Sequence, residues 1–158
     1  MAGGGVFVHF DNISGKKAEV YVDTEVHNSG KRTRTVAVET VLADAGDVPV
    51  KRISQQVKLQ AGESKTVRQQ FAVRNPKLWS PDSPYLYRIQ SRVKAGHEVL
   101  DGGVTRVGIR KAEFKGKDGF WLNGKPFGQL VGANRHQDFA YVGNALPNSQ
   151  QWRDAKRL

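Results

Sequence analysis

Along residues 6–112 apolar and polar positions alternate with a period of two, the signature of half-buried strands. Ala18, Val20, Val22, Thr24 and Val26 fall on one side of an extended segment, and Glu19, Tyr21, Asp23, Glu25 and His27 on the other. The turn sequence Asn28-Ser29-Gly30-Lys31 closes that segment. Val36, Val38, Thr40 and Leu42 repeat the pattern up to Asp44-Ala45-Gly46-Asp47, and Ile53, Val57 and Leu59 repeat it up to Ala61-Gly62-Glu63. Val67, Phe71 and Val73 follow, then a proline-rich loop over 75–84, then Tyr85, Tyr87, Ile89 and Val93. A last strand is predicted over about 99–112. With Val6-Phe7-Val8 at the start, seven or eight strands separated by turn signals predict a mainly β fold, an antiparallel sandwich of immunoglobulin-like type.

Two features of the proline-rich loop carry structural expectations. Trp79, framed by Leu78 and Ser80-Pro81, is predicted to fold its indole over one end of the core. Burial of such a ring contributes roughly 2–3 kcal/mol. Tyr85 and Tyr87 stand where a sandwich places a tyrosine corner, with a hydroxyl tied back to backbone.

After residue 112 the pattern changes. Phe120-Trp121-Leu122, Asn123-Gly124 and Lys125-Pro126-Phe127 read as a β-hairpin, because Asn-Gly between short apolar runs supplies the two positive-φ residues of a tight turn. The stretch 129–138 (QLVGANRHQD) sets four small or apolar residues, Leu130 to Ala133, before the polar cluster Asn134, Arg135, His136, Gln137 and Asp138. So short an apolar run suits a strand buried on both faces, with a polar tip at its edge. A glycine-bearing loop follows, and Pro147 or Ser149 is expected to start a helix with Trp152, Ala155 and Leu158 on one side. Strand, loop, helix is the opening unit of an α/β layer. The expected organisation is therefore a linker or added start over 1–5, a sandwich over 6–112, and a hairpin plus first β/α unit over 113–158.

Composition narrows the function classes. The 158 residues carry 25 Lys and Arg against 15 Asp and Glu, a formal charge of +10. The excess is spread over the whole chain rather than gathered in one stripe, which argues against a nucleic-acid partner. No apolar run approaches the roughly 18 residues of a membrane span, and Met1 to Gly5 lack the charged start and apolar core of a signal peptide. No membrane partner is expected. There is no cysteine, and the four histidines are scattered without metal-ligand spacing, so neither a metal nor a cofactor is expected.

Four segments resemble family 2 of the glycoside hydrolases, the β-galactosidase and β-glucuronidase family. They are Asn75-Pro76-Lys77-Leu78-Trp79-Ser80-Pro81 with Pro84-Tyr85-Leu86-Tyr87; Gly108-Ile109-Arg110-Lys111; Phe120-Trp121-Leu122-Asn123-Gly124-Lys125-Pro126; and Gly132-Ala133-Asn134-Arg135-His136-Gln137-Asp138. They stand in the family's order, and 142–147 looks most like a β-galactosidase branch. The resemblance implies a multi-domain retaining β-glycosidase in which this sandwich precedes a TIM barrel. The last segment would be the carboxyl end of the first barrel strand, where such barrels place functional loops. It implies that His136 contacts hydroxyls of a carbohydrate substrate. Asn134, Arg135 and Asp138 support that loop, and Asn134, His136 and Asp138 are the candidate substrate-binding residues.

Retaining hydrolysis needs two carboxylates about 5–5.5 Å apart. The resemblance places the acid/base in an Asn-Glu dipeptide on a later strand, and this sequence contains no such dipeptide. After the sandwich its carboxylates are Glu113, Asp118, Asp138 and Asp154. The chain is therefore expected to be a truncated piece with no catalytic residue of its own. An alternative reading is a free-standing sandwich that binds glycan or protein, for which an exposed aromatic row on a sheet face would speak. With its barrel neighbours absent, the tail is expected to be loose or to bury itself in a second copy as a homodimer contact.

Overall fold

The computed structural model describes residues 5–132 and 139–157. The strand over Val6–Asp11 (β1) pairs with Lys17–His27 (β2), and β2 pairs with Ser64–Arg74 (β5), giving an antiparallel sheet of order β1-β2-β5. The second sheet contains Arg34–Ala43 (β3), Pro49–Leu59 (β4), Tyr87–Ala95 (β6) and Glu98–Val107 (β7), in the order β4-β3-β6-β7. A third, small sheet joins Ala112–Phe114 (β8), Phe120–Leu122 (β9) and Lys125–Gly128 (β10). The chain divides into two compact units, Met1–Gly128 and Gln129–Leu158, so the hairpin is grouped with the sandwich.

The alternation read from the sequence is the one that packs. Ala18, Val20, Val22, Thr24 and Val26 of β2 are buried, as are Val36, Val38, Thr40 and Leu42 of β3 and Val67, Phe71 and Val73 of β5. Strand β3 goes further, because Glu39, Val41 and Ala43 on its other face are buried too. The register explains this. Val41 stands between Arg52 and Gln90, and Glu39 between Ser54 and Arg92, so long side chains from both neighbours cover the central strand. Glu39 keeps its charge compensated there by Arg52 at 3.0 Å, Arg92 at 3.7 Å and Lys94 at 4.0 Å.

The core is divided by a polar layer. One apolar cluster contains Val20, Val22, Leu42, Phe71, Tyr87, Ile89 and Ile109, and the other Val26, Val36, Val38, Leu59, Val67 and Val93. Thr24, Thr40, Gln69 and Ser91 are all buried as well, from all four strands that face one another across the sandwich. Gln69 occupies a core-facing position of β5 that the alternation assigns to an apolar residue. Its amide is satisfied from the opposite sheet: Thr40 Oγ1 donates to Gln69 Oε1 at 2.6 Å, and Gln69 Nε2 donates to the Val38 carbonyl at 2.9 Å. The Thr24 and Ser91 hydroxyls are enclosed without a hydrogen-bond partner among the described residues.

Three differences from the sequence reading have physical causes. The last sandwich strand ends at Val107 rather than running to 112, since the chain leaves β6 at Gly108 to meet Trp79. Leu130 and Val131 lie outside any strand, and Val131 is 88% exposed. A strand buried on both faces obtains its hydrogen bonds and its cover from neighbours, and no described strand pairs with these residues. Asn148–Ala155 (α1) forms where a helix was expected, with Pro147 at its cap, but it has no buried residue and Trp152 is 74% exposed.

Candidate functional site: the joint between sandwich and hairpin

Asn134, His136 and Asp138, the candidate substrate-binding residues, lie outside the described residues, as does Arg135. Three of the four motif segments are described, and the fold brings them to one place. Trp79 is its centre. Its amide donates to the Ile109 carbonyl at 2.8 Å, and its carbonyl accepts from Asn123 Nδ2 at 3.0 Å. Asn123 also grips the chain that enters the hairpin: its amide donates to the Lys111 carbonyl at 2.8 Å, and its Oδ1 accepts from the Lys111 amide at 3.0 Å.

The Trp79 ring lies against Gly108, where an added Cβ would come within 2.8 Å of the Trp79 Cβ, Cγ and Cδ1. The Arg110 guanidinium stands over the same ring, 5.0 Å from its centroid, in a cation–π contact. Gly108 and Arg110 therefore bound the half-buried indole, and it is the neighbouring Leu78 that packs against the core cluster. Asn123 and Gly124 adopt φ of 53° and 79°, the two positive values that a tight hairpin turn requires. One asparagine thus shapes the turn and ties it to the loop of Trp79.

The tyrosine corner is doubled. Tyr87 is buried and its hydroxyl accepts from the Lys77 amide at 2.9 Å; burial pushes its phenol above the ordinary tyrosine value. The Tyr85 hydroxyl accepts from the Ala45 amide at 3.2 Å, in the turn between β3 and β4. The two rings meet edge to face at 4.9 Å, and Lys77 Nζ stands 4.7 Å from the centre of the Tyr85 ring.

Among carboxylates in the described part of 113–157, Glu113 pairs with Lys111 at 3.0 Å and Asp154 accepts from Gln150 at 3.0 Å, while Asp118 lies in a single 3-10 turn over Gly116–Asp118. Among the described residues no group of three or more His, Asp or Glu side chains is placed to hold a metal ion. The joint positions the sandwich's exit against the hairpin.

The sequence profile described as glycosyl hydrolases family 2 matches residues 5–110. The chain belongs to this family. A β-galactosidase of Thermoanaerobacter pseudethanolicus is 33% identical over 158 residues, covering 97% of this chain and 20% of that protein. A β-glucuronidase of Formosa agariphila is 30% identical over 146 residues, covering 91% of this chain and 15% of that protein. The crystal structure of a glycosyl hydrolase family 2 member from Bacteroides cellulosilyticus superimposes with a TM-score of 0.89 at 34% identity, over 96% of this chain and 21% of that one. The chain thus spans about a fifth or less of the length of these family 2 proteins. Sequence reasoning located every segment of the joint but not the bonds of Asn123 or the cation–π contact of Arg110. No pattern local to either residue signals those partners, which lie 31 and 44 positions away in sequence.

Proposed function

We propose that the chain is a non-catalytic part of a retaining β-glycosidase that removes terminal β-linked sugars, in the β-galactosidase branch of family 2. Its sandwich serves as a rigid spacer, and the Trp79–Asn123 joint sets the direction in which the following segment leaves. The observation that carries this reading is family membership combined with the carboxylate inventory after residue 112. Relatives bearing the names β-galactosidase and β-glucuronidase support the substrate class. In the longer enzyme His136 donates or accepts hydrogen bonds at sugar hydroxyls, while Asn134, Arg135 and Asp138 hold its loop.

Two measurements test the reading together. The 158-residue chain, incubated with chromogenic β-galactoside and β-glucuronide, is expected to give no turnover above a contaminant-controlled blank; turnover would overturn the non-catalytic assignment. In the longer enzyme, loss of one sugar hydrogen bond with its partner left unpaired costs roughly 1–3 kcal/mol, about 5–150-fold in rate. His136→Ala should therefore lower kcat/KM within that range, and a folded variant with unchanged kcat/KM removes the assigned role.

A further inference from the structure

The outer face of the β1-β2-β5 sheet carries an aromatic row. Phe7, His9 and Tyr21 share that face, because Phe7 pairs with Asp23 and His9 with Tyr21 in the β1–β2 register. The His9 and Tyr21 rings stack at 4.8 Å with an interplanar angle of 5°, and Phe7 stacks on His9 at 5.6 Å and 30°. Tyr21 is held in turn, its hydroxyl accepting from Gln70 Nε2 at 2.9 Å. Phe7 ends the row and is 65% exposed.

Beside Phe7 lies an open hollow of about 390 Å³, lined by Gly5, Val6, Phe7, Asp23, Glu25 and Thr66. Its polar groups are almost all acceptors. Arg68 grips Asp23 through two bonds, Nε to Oδ1 at 2.8 Å and Nη2 to Oδ2 at 2.7 Å, which fixes the carboxylate and holds its pKa below the usual range. Glu25 is half-buried and forms no ion pair among the described residues. Thr66 adds one hydroxyl. The hollow therefore pairs an apolar ring with two carboxylates, of which Asp23 is fixed and charge-compensated by Arg68.

We infer that this hollow is a glycan-binding site for a neutral sugar. A sugar ring matches it part by part: the apolar C–H face lies on Phe7, and adjacent hydroxyls donate to Asp23 and Glu25. The uncompensated negative charge excludes uronic acids, which would set a carboxylate against Glu25. A lysine- or arginine-rich peptide suits the hollow less well, since Asp23 already has its guanidinium and only Glu25 remains to attract a cation. Turnover of a chromogenic glycoside neither requires nor reports binding here.

Titration of the 158-residue chain with a neutral β-1,4-galacto-oligosaccharide, followed by calorimetry or by amide chemical shifts, tests the site. Binding is expected at roughly millimolar strength, as befits a shallow surface, with shifts confined to residues around Phe7, Asp23, Glu25 and Thr66. Phe7→Ala should weaken binding about three- to tenfold with an unchanged thermal midpoint, since an exposed ring contributes little to the fold. Glu25→Gln, which removes charge but keeps the shape, should weaken the neutral sugar and narrow its advantage over a glucuronide-containing oligosaccharide. No binding by the unsubstituted chain at 20-fold above that range, equal binding by Phe7→Ala, or a preference for the uronate would each overturn the inference. So would binding of oligolysine at this hollow in place of the sugar.

Discussion

Gly108 is fixed by its neighbour rather than by its own backbone. Its φ is not in the left-handed region, yet a methyl group there would press into Trp79 at 2.8 Å. The indole cannot retreat easily, because its main chain is bonded on both sides, to Ile109 and to Asn123, and Arg110 covers its face. Gly108→Ala should therefore destabilise the sandwich by about 1–3 kcal/mol, the range for overpacking a well-filled site. Urea denaturation followed by tryptophan fluorescence reads this directly, and a loss under about 0.5 kcal/mol would mean that Trp79 moves more freely than its bonds imply. The same residue is legible in the sequence only as a motif glycine. Nothing along the chain near position 108 says that residue 79 is the reason for it.

Between elements, Gln69 on β5 links to β3 through the core by two bonds, one from Thr40 Oγ1 and one to the Val38 carbonyl. Antiparallel sheets that bury only aliphatic side chains can slide past one another at modest cost, whereas a buried amide has one set of partners. Replacing Gln69 alone by Leu leaves the Thr40 hydroxyl and the Val38 carbonyl short of a partner, and replacing Thr40 alone by Val leaves the amide oxygen unpaired. Each single change is expected to cost about 1–3 kcal/mol. Gln69→Leu combined with Thr40→Val keeps the volumes similar and removes both polar groups, so the double variant should be more stable than the sum of the singles by 1 kcal/mol or more. Simple additivity in a denaturant double-mutant cycle would show that the two groups do not depend on each other. The sequence displayed Gln69 as a break in the Val67, Phe71, Val73 pattern, but a break in alternation reads equally well as an exposed edge. Only the facing sheet makes it a cross-link.

At the scale of the molecule, the two units differ in what they bury. The first contains both core clusters, and Leu122 of the hairpin is buried with it. In the second no described residue is buried, and Tyr141 and Trp152 are largely exposed. Proteases cut where backbone and side chains open at low cost. Chymotrypsin at low concentration should therefore remove 129–158 first and leave a stable product ending near Gly128, with the 120–128 hairpin retained. Mass spectrometry of the time course identifies the product. Early cleavage at Trp121 would mean that the bonds of Asn123 do not anchor the hairpin, and protection that rises with protein concentration would mean that a second copy covers the tail.

Alternation of apolar side chains by itself determined the sandwich. A two-residue period places one face of every strand in the same layer, and burial of that face dominates the free energy whatever the order of strands. Asn123-Gly124 likewise determined a hairpin, since few other dipeptides accept two positive φ values. Tertiary structure decided what no local pattern encodes: that the outer face of β3 is buried beneath its neighbours' long side chains, that Gln69 finds Thr40, and that Trp79, Gly108, Arg110 and Asn123 meet. It also left Leu130 and Val131, apolar residues that read locally as a strand, exposed and outside any strand. Burial of a single strand is a property of its neighbours, and no local pattern supplies them.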